Sequence, residues 1–211
     1  MLIPGDTIID ELRAYGRCVQ GVLHVGAHDC EEMPFYNSLG IPAENIIWID
    51  ALQNKVNEAK ARGIPNVFQA IITDKDDQSV TFHVSNNIQS SSIFDFGTHA
   101  QYYPGIRYTN TIQTTTTTLD TFFTKHGLDP SVYDFWNFDI QGAEMLALQG
   151  ATNALKHAYA LYLEVNVEEV YKGCARLHEL DKFLYENGFV RIKTEITGMG
   201  WGDALYLKLH P

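Results

Sequence analysis

"VLHVGAHDCEEMPFY", Val22–Tyr36, decides how this chain is read. Val22–Val25 is a short apolar run stopped by Gly26, which reads as a buried strand. Glu31–Leu39 follow as a helix with Asp29 as its N-cap, and Gly40 and Pro42 end it. A strand, a tight turn and a helix form the opening unit of a parallel α/β sheet. In such sheets ligands sit beyond the carboxyl ends of the strands. Dinucleotide loops rest a pyrophosphate on bare N–H groups and use GxGxxG. Here only Gly26 of that pattern is present, and Asp29, Glu31 and Glu32 would repel a diphosphate. GxxxxGK[ST] is absent as well.

The alternation continues outward from that unit. "NIIWID" (Asn45–Asp50) is a second buried strand, Gln53–Arg62 a helix stopped by Gly63 and Pro65, and "NVFQAII" (Asn66–Ile72) a third strand. Asp74–Gln78 is a turn, and Ser79–Ser85 alternates as a half-exposed strand does. Thr114–Thr118 is β-branched and suits a strand. Asp120–His126 is a helix, Val132–Ile140 a strand, Gly142–Leu155 a helix, Tyr159–Asn166 a strand and Leu177–Asn187 a helix. Phe189–Ile196 and Asp203–Leu209 pair as a hairpin around Gly198–Gly202. The expected fold is α/β, a Rossmann-like, mostly parallel sheet with one antiparallel terminal strand and helices on both faces. One domain spans 1–211, with 1–20 as an N-terminal extension. Residues 86–113, rich in Ser, Asn, Tyr and Gly, form an irregular insertion of the kind that carries function, here lining an acceptor site.

Composition excludes several partners. The 211 residues carry a net charge of −11, and no Lys/Arg cluster offers a nucleic-acid-binding face. Three cysteines without a CxxC pair argue against a disulfide framework or a cysteine zinc site, and fit buried thiols in a cytoplasmic protein. Asp6, Asp10 and Glu11 interrupt the N-terminal apolar stretch, so it does not read as a signal peptide. No run of 18 apolar residues suggests a membrane span.

Asp50, at the end of the second strand, stands where an acid accepts both hydroxyls of a ribose. A ribose acid beside an acid-rich first loop suits a cationic nucleoside without phosphate, and S-adenosylmethionine is such a molecule. An N-cap role is the structural alternative for Asp50, and helix-dipole complementation that for Glu31 and Glu32.

Taken with "NFDIQGAEMLALQGA" (Asn137–Ala151) and "LYLEVNVEEVYKG" (Leu161–Gly173), these residues resemble the FkbM-type family of S-adenosylmethionine-dependent methyltransferases. "SSSIF" (Ser90–Phe94), "TTLDTF" (Thr117–Phe122), "ENGF" (Glu186–Phe189) and "GWGDALYL" (Gly200–Leu207) extend the resemblance from Val22 to Leu207. It implies the seven-stranded methyltransferase sheet and methyl transfer, usually to a hydroxyl oxygen. It also implies cofactor contacts at Gly26, Ala27, His28, Glu32, Asp50, Ala51, Ala70 and Ile71, with Asp139 and Gln141 bordering the methyl. The chain departs from the family at His28 and Cys30, where Asn and a second Gly are common, and at Asn137, where a lysine is common.

Methyl transfer to oxygen needs a positioned base. Asp139 is the first candidate, because the apolar strand before it would desolvate it, and Glu164 and His28 are the others. Glu144 reads as a helix cap and His24 as a core histidine; His99 lies in the insertion. Asp139, Glu164 and nearby histidines have the chemistry to hold Mg or Mn, though no HExxH-like spacing supports it. Tyr102, Tyr103, Tyr108 and Trp201 suit an aromatic wall for a sugar ring, and Ser91, Ser92 and Asn166 suit its hydroxyls. The expected activity is O-methylation of a carbohydrate. The alternatives are a lipid or polyketide hydroxyl, a nucleotide-dependent oxidoreductase, and a non-catalytic module on this scaffold. The sequence sets no oligomeric state.

Overall fold

The computed structural model describes residues 1–208. Helix α1 (Gly5–Ala14) precedes β1 (Val22–Val25), α2 (Met33–Ser38), β2 (Ile46–Asp50), α3 (Gln53–Ala61) and β3 (Val67–Gln69). Then come β4 (Ser79–Ser85), α4 (His99–Tyr102), β5 (Tyr108–Thr115), α5 (Leu119–His126) and β6 (Phe135–Phe138). The chain continues through α6 (Glu144–Gln149), β7 (Ala160–Asn166), α7 (Leu177–Glu186), β8 (Phe189–Ile196) and β9 (Trp201–Lys208). Seven strands form one sheet in the order β3-β2-β1-β6-β7-β9-β8. β9, the last in sequence, runs antiparallel to both β7 and β8. Strand order reverses between β1 and β6, which are parallel neighbours, so the crevice of this fold opens at their carboxyl ends.

Strand periodicity sorts the core into two layers. Leu23, Val25, Ile47, Ile49, Trp136 and Phe138 pack with Phe122, Leu148, Leu180 and Leu184 of α5, α6 and α7. Val22, Ile46, Trp48 and Phe135 turn the other way, onto Ile8, Leu12, Tyr36, Val56 and Ala59 of α1, α2 and α3. Local signals explain the helix ends. The Thr118 hydroxyl accepts from the Thr121 N–H at 3.1 Å to start α5, and Gly127 closes it in the left-handed region.

Several elements differ from the sequence expectation. Residues 1–20, expected as an N-terminal extension of the domain, place Ile3, Ile8 and Leu12 in the second core layer. α2 begins at Met33 rather than Glu31, after a turn in which Cys30 takes φ 54°. Asp29 does not cap it; its carboxylate pairs with Lys55 at 3.0 Å. β3 ends at Gln69, and the chain leaves the sheet so that Ile72 bridges Thr117. Of the Thr114–Thr118 run only Thr114 and Thr115 are in a strand. That strand, β5, begins inside the expected irregular segment and pairs with β4 as a separate two-stranded sheet. β6 is shorter than expected because 130–132 form a 3-10 turn. The expected helix 142–155 stops at Gly150, where a Cβ would lie 2.1 Å from the Thr73 carbonyl oxygen; a 3-10 turn follows at Ala154–Lys156. Leu209, the last residue of the final expected strand, lies outside the described residues. Cys30 and Cys174 are buried thiols, whereas Cys18 is exposed.

Candidate active site

Gly26 brings the site together. Its φ is +95°, and a Cβ there would lie 1.9 Å from the Asp139 carbonyl oxygen. Only glycine allows that backbone approach. The Gly26 and Ala27 N–H groups both donate to the Ile49 carbonyl, at 2.8 and 3.0 Å, and the Asp139 N–H donates to Val25 at 3.0 Å. The ends of β1, β2 and β6 are thus locked to one another. The loop after β6 is held in an unusual shape: Gln141 takes φ 55°, and the Ser92 hydroxyl donates to its carbonyl at 2.8 Å.

Three clefts meet at this point. The first, of ≈ 650 Å³, is mostly apolar: Ile49, Ile71, Phe82, Ile93 and Ala143 line it, with Gly26 and Asp50. One Asp50 oxygen accepts from the His28 N–H at 2.7 Å and the other from Leu52 at 2.8 Å. Burial raises its carboxyl group. Each carboxylate oxygen has a second lone pair, which leaves Asp50 able to accept two hydroxyls at the cleft edge. The alternative N-cap role falls to Leu52 instead, which makes no side-chain cap.

The second cleft, of ≈ 730 Å³, is polar and acidic. His24, His28, Glu31, Glu32, Asn137, Asp139, Glu164 and Asp203 line it. Burial and the Glu31 charge push the Glu32 carboxyl up to about 7. Glu31 is tied to the loop, accepting from the Asp29 N–H at 2.9 Å and lying 2.9 Å from His28 Nδ1. His24 is a core histidine: it stacks on Trp48, its Nδ1 lies 2.8 Å from the Tyr36 hydroxyl, and burial lowers it to about 4. Asn137 donates to the same hydroxyl at 2.7 Å.

The third cleft, of ≈ 900 Å³, is framed by Asn87, Gln89, His99, Tyr103, Tyr171 and Trp201, with Asp139, Glu164 and Asp203 at its floor. The Gln141 amide organises that floor. Its Nε2 donates to both Asp139 and Glu164, and its Oε1 accepts from the Tyr171 hydroxyl. Glu164 is buried, and burial together with the Asp139 charge raises its carboxyl far above the usual range. Asp139 itself is exposed, so the expected desolvation falls on Glu164. Glu144, expected as a helix cap, instead ties down the loop before α6: it accepts from the Ile140 N–H at 2.9 Å and the Gly142 N–H at 3.3 Å, and burial pushes it up to about 7.

Residues 24–191 match the methyltransferase FkbM domain. The chain belongs to that family. It is an S-adenosylmethionine-dependent methyltransferase. Among solved structures it is similar to magnesium protoporphyrin IX methyltransferase from Synechocystis, with bound S-adenosylmethionine. There the identity is 16%, with 97% of this chain and 77% of that chain covered, at a TM-score of 0.48. It is also similar to a methyltransferase from Bacteroides fragilis in complex with S-adenosylhomocysteine (10% identity, 94% and 76% covered, TM-score 0.45). No curated protein sequence matches the chain.

The expected residues divide clearly. Gly26, His28, Asp50, Ala51, Ala70, Ile71, Asp139 and Gln141 line the apolar cleft, and Glu32 the acidic one. Ala27 is buried core and lines none of the three clefts. His28 lines the first two clefts but not the third, with its Nδ1 2.9 Å from Glu31. Ser91 lines the apolar cleft rather than the third. Ser92 and Asn166 are buried and Tyr102 reaches out to Glu168, so none of them borders the third cleft. Tyr103 and Trp201 do border it, joined by a 3.1 Å hydrogen bond from the indole N–H. Tyr108 instead donates to the Phe94 carbonyl at 2.6 Å. Among the described residues no three His, Cys, Asp or Glu side chains converge on a point where a metal ion would be held. No described helix is long and apolar enough to cross a membrane.

Sequence reading missed Phe82, Gln89, Tyr171 and Asp203. Phe82 was visible as the inward member of an alternating strand, but its sheet was not. Gln89 lines all three clefts from the insertion, which was assigned to the acceptor alone. Tyr171 and Asp203 stand inside family blocks, and no local pattern gave them a role.

Proposed function

We propose that this methyltransferase transfers its methyl group to a hydroxyl oxygen of a carbohydrate, seated in the ≈ 900 Å³ cleft. One observation carries the reading: Asp139 lines all three clefts, so the methyl donor and the acceptor meet at its side chain. The apolar cleft fits an adenine, Asp50 its ribose, and the acidic cleft the ammonium of an amino-acid tail. The absence of lysine and arginine from the lining of these clefts agrees with a phosphate-free cofactor. When bound, S-adenosylmethionine supplies a methyl group on a cationic sulfur.

The chain's own residues do the rest. Gly26 lets the β1 and β6 loops close on each other, which fixes where donor and acceptor meet. Asp139 faces the open cleft and takes the hydroxyl proton as the new bond forms. Glu164, held protonated by burial, stays neutral beside it and limits the repulsion two carboxylates would suffer. Gln141 keeps both carboxyl groups in place. Tyr103 and Trp201 offer flat faces to a sugar ring.

The test is a screen of glycans, lipids and polyketide alcohols with labelled methyl donor, with and without chelator. Label transferred to a glycan hydroxyl, and released as methanol from no carboxyl ester, supports the reading. Transfer to lipid or polyketide alcohols alone contradicts the carbohydrate assignment. Cofactor binding with no transfer to any class favours a non-catalytic module. The nucleotide-dependent oxidoreductase reading gives way to the family match.

A further inference from the structure

We propose that the acceptor carries a positive charge: on the carbohydrate reading above, it is an ammonium-bearing sugar. The inference deepens that reading and rests on its assignment of the third cleft.

Two features of the cleft point the same way. The first is charge. Asp139, Glu164 and Asp203 line it, and among the described residues no lysine or arginine does. Glu164 and Asp203 are only 4% and 6% exposed, and burial raises both carboxyl groups. A buried acid without a cation is costly to ionise, so a cation arriving there stabilises the carboxylate form, while an anion finds no cationic side chain to hold it. The hydrogen bonds these acids make are to neutral donors: Asp203 accepts from the Leu2 N–H and the Tyr162 hydroxyl, and Glu164 from Gln141. Among the charges that act on Asp203, Asp139 raises it and the Met1 amino group, which also lines the cleft, lowers it.

The second feature is the wall. His99, Tyr103, Tyr171 and Trp201 line the same cleft. Aromatic faces attract cations through the ring quadrupole, and acids combined with aromatics recur where ammonium ligands bind. His99 is 5% exposed, stacks on Phe96 with ring centroids 4.2 Å apart, and its Nδ1 has no hydrogen-bond partner among the described residues. That leaves a polar side chain unsatisfied in the wall. Burial lowers His99, so the wall adds no positive charge of its own.

Glu31 and Glu32 belong to the second cleft alone, which gives the cofactor ammonium its own acids. Asp203 and Glu164 border both clefts and so face the acceptor as well. A uronic acid, a sulfated sugar or a phosphorylated sugar is disfavoured by the same field.

The test uses the full chain saturated with S-adenosylhomocysteine, with binding read by calorimetry at low and high salt. Two probe pairs differ chiefly in charge: glucosamine against N-acetylglucosamine, and tyramine against tyrosol. The ammonium member of a pair is expected to bind at least tenfold more tightly. The preference shrinks in high salt, and Asp203→Asn reduces it to less than threefold. Asp139→Asn, at an exposed position, gives a parallel reading if Asp203→Asn does not fold. A preference in the tyramine pair with no sugar binding keeps the charge and removes the carbohydrate. Equal affinity in both sugars and both phenols overturns the charge, whatever becomes of the carbohydrate. Binding by none of the four, or tighter binding of the neutral members, overturns it too.

Discussion

The apolar cleft and the acidic cleft share a wall at Gly26, His28 and Asp139, yet they are built differently. The apolar one is made largely of residues at or just past strand ends: Ile49 to Leu52 at the end of β2 and Ala70 to Ile72 after β3. The acidic one draws Glu32 from the β1 loop, Glu164 from β7 and Asp203 from β9. On the proposed function, shape and apolar area select a ligand in the first, and charge selects it in the second. The difference teaches that one sheet edge can set an apolar cleft beside an acidic one, and the proposed function gives the nucleoside to the first and the cation to the second.

The largest expected effect removes the wall between them. Gly26→Ala places a methyl group against the Asp139 carbonyl at a positive φ. It is expected to destabilise the protein by about 4 kcal/mol or prevent folding, as steric conflict at a strained backbone position does. Gly198→Ala, where nothing lies within 4 Å, is expected to stay within about 0.5 kcal/mol in the same denaturant titration. Equal effects would mean that the two loops can move apart.

The next prediction separates the two carboxyl groups on the floor. Asp139→Asn is expected to lower kcat by roughly 10²–10⁴, the range of a lost general base. Glu164→Gln, which resembles the protonated acid, is expected to lower it less than about tenfold. Both are read by initial rates on an acceptor found in the screen. The reverse ranking would move the base to Glu164.

Asp50→Asn weakens the apolar side. It removes charge from the ribose position and leaves one of the two N–H groups from His28 and Leu52 poorly matched. Affinity for S-adenosylhomocysteine is expected to fall roughly 10–100-fold, about 1.4–2.7 kcal/mol. A smaller change would mean the ribose lies elsewhere.

The smallest effect is a pH dependence that belongs to the acidic side. Glu32 is raised to about 7, so below that pH it is largely protonated and offers the cofactor ammonium no charge. Affinity for S-adenosylmethionine is expected to tighten several-fold, at most about tenfold, as pH rises from 6 to 8. Calorimetry in two buffers would show proton release on binding at pH 6. Glu32→Gln is expected to flatten the profile, and an unchanged slope would assign the titration to another group.

The two regions also differ in how far they can be read from the chain. The apolar runs ending at Val25, Asp50 and Phe138 mark strand ends, because a buried parallel strand is continuous in hydrophobicity and stops at a turn. That made Gly26, Asp50 and Asp139 visible. Glu144 was legible as an acid at a helix start, but its hydrogen bonds go to the loop before α6. The acceptor side was not legible in the same way. Asp203 alternates in a strand whose neighbour is set by topology, and His99 and Gln89 reach the site through the fold of an irregular segment. Desolvation was misplaced for the same reason: local apolarity before Asp139 says nothing of the cleft beyond it. Glu164, in the middle of the sheet, bears the burial instead.

The claim that the clefts meet at Asp139 is tested most directly by a crystal structure of the S-adenosylhomocysteine complex. The account predicts adenine among Ile71, Phe82 and Ile93, ribose hydroxyls on Asp50, the amino group at Glu32, and the sulfur turned towards Asp139. Adenosine bound outside the apolar cleft, or a sulfur facing away from Asp139, would contradict it.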